Sequence, residues 1–193
     1  MCIRDRTMRA LNDVVKRGWV RYIGASSMAT WEFQELQYIA EKHNWVKFIS
    51  MQNLYTLLYR EEEREMIPYC RHTGVGVIPW FAVAAGVLTR PWDDASTERA
   101  KSDSLLRTLL KNSDGTPEHE IVNRVEEVAK KKNVSMAQVA TAWLLSKPGV
   151  NPLLGLSKKE RIDEAVAAIH LKLTEEEIKY LEEPYMPRPV MGI

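Results

Sequence analysis

The chain has 193 residues, 45% hydrophobic and 27% charged, enough to bury one sizeable core. Its 27 basic and 26 acidic residues leave a net charge of +1, which gives no electrostatic reason to expect nucleic acid or an anionic membrane as partner. Two cysteines, Cys2 and Cys70, exclude a disulfide framework, and without an export signal or an apolar run of membrane length a cytoplasmic protein is expected.

From about Thr7, Met8, Leu11, Val14 and Val15 follow helical spacing, and Gly18 stops the helix before the apolar run Val20 to Ala25. A second helix, with Phe33, Leu36, Ile39 and Ala40 on one face, precedes a strand from Phe48 to Met51. A third, from about Glu61 to His72, is broken by Thr73-Gly74 ahead of the strand Val75 to Trp80. Strand starts about 27 residues apart suit successive units of a parallel sheet.

The regularity stops at the polar segment 90–116, read as a surface loop with a helical turn near Leu105 to Leu110. Thr116-Pro117 then starts a helix with Ile121, Val122, Val125, Val128 and Ala129 on its buried stripe. Capping boxes at Ser135 to Gln138 and Thr174 to Glu177 open two more helices. Between those two, Val150 to Leu156 supplies a fourth strand, and 184–193 forms an irregular arm. Four strands with helices between them make an α/β chain resembling half of an eight-stranded parallel barrel. Such a half exposes sheet edges and an apolar face, so a missing amino-terminal barrel half or a second copy is expected to cover it.

Each strand runs out into small or polar residues: Gly24-Ala25-Ser26-Ser27, Gln52-Asn53, Pro79-Trp80 and Gly155-Leu156-Ser157. In parallel α/β proteins ligands bind at that end. Hydroxyls and amides at Ser26, Ser27, Gln52 and Asn53 can read a carboxamide, and Trp80 offers a flat face for a ring or, alternatively, caps the core. Ser157 to Arg161 combines a helix start with three cations, which suits phosphate; an ordinary Ser cap among solvated cations is the other reading.

These motifs, in this order from Thr7 onward, resemble the carboxyl-terminal half of the aldo/keto reductases. Gly18 to Ser27 looks like the family's fifth strand, Gln52-Asn53 its sixth, Gly86-Val87-Leu88-Thr89 the turn after its seventh, and Pro148 to Glu164 its eighth strand and cofactor helix. The resemblance implies a (β/α)8 TIM-barrel fold, here its carboxyl-terminal half over 7–193, with 1–6 unmatched. It implies that Ser26, Ser27 and Gln52 hold the nicotinamide carboxamide and that Trp80 stacks on its ring. Gly86 belongs to the turn after strand seven. Gly155, Ser157, Lys158 and Arg161 take the adenosine phosphate, preferring NADPH to NADH, with Glu164 near the adenine.

Two departures stand out: Phe81-Ala82-Val83-Ala84-Ala85-Gly86 replaces Ser-Pro-Leu-x-x-Gly, losing a hydroxyl and often a cation near the pyrophosphate, and Ala165 replaces a common Asn. The family's catalytic Asp, Tyr, Lys and His lie in the front half of its barrel, so no catalytic residue and no metal site is assigned here. The expected activity is hydride transfer from NADPH to a small aldehyde or ketone, with the isolated half inactive. A nucleotide-binding regulatory subunit is the alternative.

Overall fold

The computed structural model describes residues 3–94 and 116–191, so nearly all of the expected loop 90–116 and its helical turn lie outside the described residues. The first helix, α1 (Ile3–Lys16), begins four residues before the apolar periodicity does. Tertiary contacts account for the added turn: the Arg4 guanidinium reaches Glu32 at 2.6 Å and Glu35 at 2.7 Å and lies over the Trp31 ring. The strand β1 (Gly24–Ser26) follows, then α2 (Thr30–Lys42), which buries Phe33, Leu36, Gln37 and Ala40 on one face. Next come β2 (Ser50–Gln52), a 3-10 turn at Glu61–Glu63, α3 (Met66–Thr73) and β3 (Gly76–Val77).

The three strands are parallel in the order β1-β2-β3, with Gly24 opposite Ser50, Met51 opposite both Ala25 and Val77, and Ser50 opposite Gly76. Alternation divides the sheet into two faces. Ile23, Ala25, Met51 and Val77 are buried beneath the helices, whereas Gly24, Ser26, Ser50, Gln52 and Gly76 are half-buried or exposed on the other side. A Cβ at position 24 would come within 2.5 Å of Ser50 Oγ, so a side chain there would oblige that hydroxyl to turn away.

The strands are shorter than the apolar runs, and the expected fourth strand, Val150 to Leu156, is reduced to a single parallel bridge between Val77 and Val150. Proline explains the reduction. Val77 N donates to Gly149 O at 2.9 Å, while Asn151 N donates to Val77 O and Leu153 N to Pro79 O, both at 2.8 Å. The next bond of a parallel ladder would need an N–H at position 79, which Pro79 lacks.

Beyond the sheet, α4 (Pro117–Lys132) and α5 (Met136–Leu145) form with the caps expected of Thr116 and Ser135. They bring Val122, Val125, Val139, Trp143 and Leu144 into the core at 0% exposure. Removing each such side chain from water contributes about 1.5–3 kcal/mol. The helix α6 (Lys159–Ala167) buries no residue at all, and α7 (Glu175–Glu182) starts on the Thr174 capping box. The arm after Pro184 is irregular, as its sequence suggests, yet it is fixed to the body. Tyr185 OH donates to Glu61 Oε1 at 2.7 Å, Arg188 N to the same oxygen at 2.8 Å, and Met191 N to Tyr59 OH at 2.8 Å.

Candidate nucleotide site at the strand ends

Two strand ends are joined through one carbonyl and the third through a hydroxyl. The Gln52 C=O accepts Ser27 N–H at 3.1 Å, Ser26 Oγ–H at 3.1 Å and Ser27 Oγ–H at 3.5 Å. The Trp80 indole N–H donates to Ser27 Oγ at 3.3 Å, which fixes the ring beside the two serines. Trp80 is half-buried, packs edge-on to Phe81 at 5.8 Å and lies against the hydrophobic core. The Gln52 side chain is half-buried, and its amide has no hydrogen-bond partner among the described residues. Ser26, Ser27, Gln52 and Trp80 are thus brought together, with an amide left over to read a ligand.

Asn53 behaves differently from its neighbour, because the two-residue period of a strand turns it to the helix face. Its side chain is fully buried, Nδ2 donates to Glu62 Oε2 at 3.0 Å, and Oδ1 has no partner among the described residues. The backbone still braces the site, since Trp80 N donates to Asn53 O at 2.8 Å. Burial pushes the Glu62 carboxyl up to about 7; the Asn53 hydrogen bond opposes the rise and the nearby Glu61 charge adds to it.

The second cluster follows the bridge at Val150. Nothing lies within 4 Å of a Cβ built at Gly155, and Ser157, Lys158 and Arg161 are exposed. Arg161 Nη1 donates to Ser157 Oγ at 3.4 Å, the one interaction shown for that guanidinium among the described residues. The cap of α6 is Lys158 in extended geometry, with no side-chain hydrogen bond, so Ser157 is not the simple helix cap of the alternative reading. Uncapped N–H groups with adjacent cations favour an anion. Glu164 is half-buried, and its carbonyl accepts Gln138 Nε2–H at 3.4 Å, tying α6 to α5.

Gly86 lies with Ala85 at a non-helical kink in the segment Ala84–Thr89 that follows β3, and its φ of 97° is one that a side chain would strain. Phe81, Ala84 and Ala85 share the left-handed region with φ of 66°, 49° and 50°. Most of the perturbed acids lie in the core or around the carboxyl-terminal arm. Burial pushes the Cys70 thiol up to about 11, and burial together with the Glu63 carboxylate raises the Tyr55 hydroxyl further. Among the described residues no group of three or more His, Cys, Asp or Glu is placed to hold a metal ion. No helix of the described residues is long and apolar enough to cross a membrane.

A parallel α/β sheet with polar strand ends, followed by an uncapped helix start among cations, is an arrangement able to receive an anionic ligand. The chain belongs to the aldo/keto reductase family, whose model is matched over residues 4–185. It is 57% identical over 187 residues to a versiconal hemiacetal acetate reductase of Aspergillus parasiticus, covering 97% of this chain and 54% of that protein. It is 59% identical over 189 residues to a Schizosaccharomyces pombe protein provisionally named an aryl-alcohol dehydrogenase, covering 97% and 53%. A thermostable aldo-keto reductase crystallised with the inhibitor epalrestat superposes with a TM-score of 0.70 at 25% identity, covering 94% of this chain and 55% of that one. The fold is therefore that of the aldo-keto reductases, of the TIM-barrel family.

The chain spans about half the length of the curated relatives it matches, 54% and 53% for these two. The designation as the carboxyl-terminal half of a barrel is nevertheless corrected. The family match takes in residues from 4 onward, including the turn of α1 that the sequence pattern set apart, and covers the chain as a family domain. The inactivity expected of an isolated half has no support in that match.

Missing from the sequence pattern were Glu62 and Arg90. A run of three glutamates gives no hint that Glu61 and Glu62 are the buried ones, and a single arginine before a proline carries no spacing signal.

Proposed function

We propose that the chain binds a nicotinamide dinucleotide along the strand ends, preferring NADPH, and serves hydride exchange between the cofactor and a small aldehyde or ketone. The observation that carries this reading is the junction of Ser26, Ser27, Gln52 and Trp80 through the Gln52 carbonyl and the indole N–H. The donor set fits the group. Gln52 has a free amide for a carboxamide, the Trp80 ring has a fixed orientation, and Ser157, Lys158 and Arg161 stand exposed for phosphate.

When bound, the nicotinamide supplies or accepts the hydride. Ser26, Ser27 and Gln52 orient the carboxamide, and Trp80 backs one face of the ring so that the other is presented to substrate. Gly155, Ser157, Lys158 and Arg161 hold the adenosine phosphate, Glu164 lies beside the adenine, and Gly86 shapes the turn between the two ends. The two named relatives, a hemiacetal acetate reductase and an aryl-alcohol dehydrogenase, favour a carbonyl or its alcohol as the substrate class.

Quenching of tryptophan fluorescence by NADPH and NADH tests the reading. Arg161→Ala should weaken NADPH by about one to two decades and NADH hardly at all, since a charge-assisted contact contributes about 1.5–3 kcal/mol. Equal losses for both cofactors would withdraw the NADPH preference, and no quenching of the parent chain would withdraw the site.

A further inference from the structure

Beneath the strand ends lies a buried amide with one anchor. Asn53 follows Gln52 directly, and its carbonyl accepts Trp80 N–H at 2.8 Å, so it ties together two of the residues at the site. A parallel bridge between Leu54 and Trp80 continues the pairing one residue on. The Asn53 side chain is fully buried, Oδ1 has no partner among the described residues, and Nδ2 donates to Glu62 Oε2 at 3.0 Å. The place of this amide is therefore set by a hydrogen bond to one carboxyl group.

Glu62 is itself only 8% exposed. The titratable groups that face it are Glu61 beside it in the turn, Cys70 from α3 and Tyr59 from the loop before the turn, and none of them is a cation. The two arginines that meet Glu61 are taken up, Arg64 by Glu61 itself and Arg188 by Glu118. A carboxylate so placed has neither water nor a counter-charge, and the chain could relieve the cost only by opening 53–63 to solvent. That movement would carry Asn53, and with it Gln52 and Trp80. The protonated acid accepts the Asn53 bond without this cost, and burial holds its value at about 7, within the range where the change can be followed.

We infer that Glu62 is a positioning residue of the strand-end site, which in its protonated form holds Asn53, and through it Gln52 and Trp80, in the arrangement that receives a dinucleotide. The inference rests on the proposed nucleotide site. Binding and protonation are then linked: the bound cofactor favours the proton on Glu62, so affinity is full below the value of the free chain and is lost as pH rises above it.

The test is the pH profile of NADH binding to the full chain, read by quenching of tryptophan fluorescence in the parent, Glu62→Gln and Glu62→Ala. NADH is the probe because the extra phosphate of NADPH titrates at about pH 6 and adds a slope of its own. The parent should bind NADH roughly tenfold more weakly at about pH 8.5 than at about pH 6, the equivalent of a one-unit rise in the carboxyl's value on binding. Glu62→Gln, uncharged throughout and of the same shape, should lose the slope and keep the tighter binding, whereas Glu62→Ala, without the anchor, should bind about tenfold more weakly at every pH. Should neither variant fold, calorimetry of the parent carries the test: NADH binding at about pH 7.5, in buffers of different ionisation heat, should draw a proton from solution. A flat profile in the parent overturns the inference, as do a glutamine variant that keeps the slope, an alanine variant that binds undiminished, and binding without proton uptake. A parent that binds NADH at no pH removes the nucleotide site and the role of Glu62 with it; a parent that binds with a flat profile removes that role alone.

Discussion

Where α5, α7 and the carboxyl-terminal arm meet, charged and polar groups answer one another; along the strand ends they are left open. Arg60 is held by Glu63 at 2.7 Å and by Glu182 at 3.1 Å, and Glu182 also accepts the Trp143 indole N–H at 2.8 Å and a contact from Lys147. Burial works against the Glu182 charge, but the Lys147 and Trp143 bonds and the Arg60 charge together hold its carboxyl below the ordinary value. On the strand-end side, Lys158, Arg161 and Arg90 have no carboxylate partner among the described residues, and α6 buries nothing. Groups satisfied within the chain stabilise it and have little left to offer a ligand; the unsatisfied ones are where binding can occur.

The sharpest way to break this contrast is Trp143→Ala. The side chain is fully buried, meets the Tyr55 ring in a tilted pair at 5.2 Å and donates to Glu182. Its loss should cost about 3–5 kcal/mol in denaturant unfolding, whereas Arg161→Ala at the open end should leave the midpoint nearly unchanged. Comparable losses for the two variants would erase the distinction between the regions.

Glu62 refines the comparison, being a buried acid of the closed region directly beneath the site. It faces Asn53, Glu61, Cys70 and Tyr59 and meets no cation among them. Its folded value, near 7, lies above the ordinary 4.5, so the folded state binds this proton more tightly than the unfolded chain does. The resulting stabilisation is complete below the unfolded value and is lost as pH rises through the folded one. Stability of the parent should fall by about 2–3 kcal/mol between pH 5 and about 7.5. Glu62→Gln should flatten that slope, since an amide takes up no proton in this range. An unaltered slope in urea titrations of the variant would mean that another group carries the proton.

The smallest effect belongs to the strained turn. Ala85 has φ of 50°, and glycine there should relieve the strain, raising stability by about 0.5–1 kcal/mol. A loss of stability in Ala85→Gly would show that the turn is not strained as its geometry suggests.

Much of the frame follows from local sequence. Thr116, Ser135 and Thr174 begin their helices because a hydroxyl satisfies an orphan N–H within three residues, and a local interaction is visible in a local pattern. The order of strands and the grouping of Ser26, Ser27, Gln52 and Trp80 at their ends follow from the same regular alternation. Only the tertiary structure decided that Asn53 turns inward to Glu62, because one residue of register selects the face of a sheet. It also decided that Pro79 interrupts the last ladder and that residues 3–6 join α1 through Arg4. Each of these depends on a partner distant in the chain, or on its absence, and pairings across such separations leave no periodicity to read.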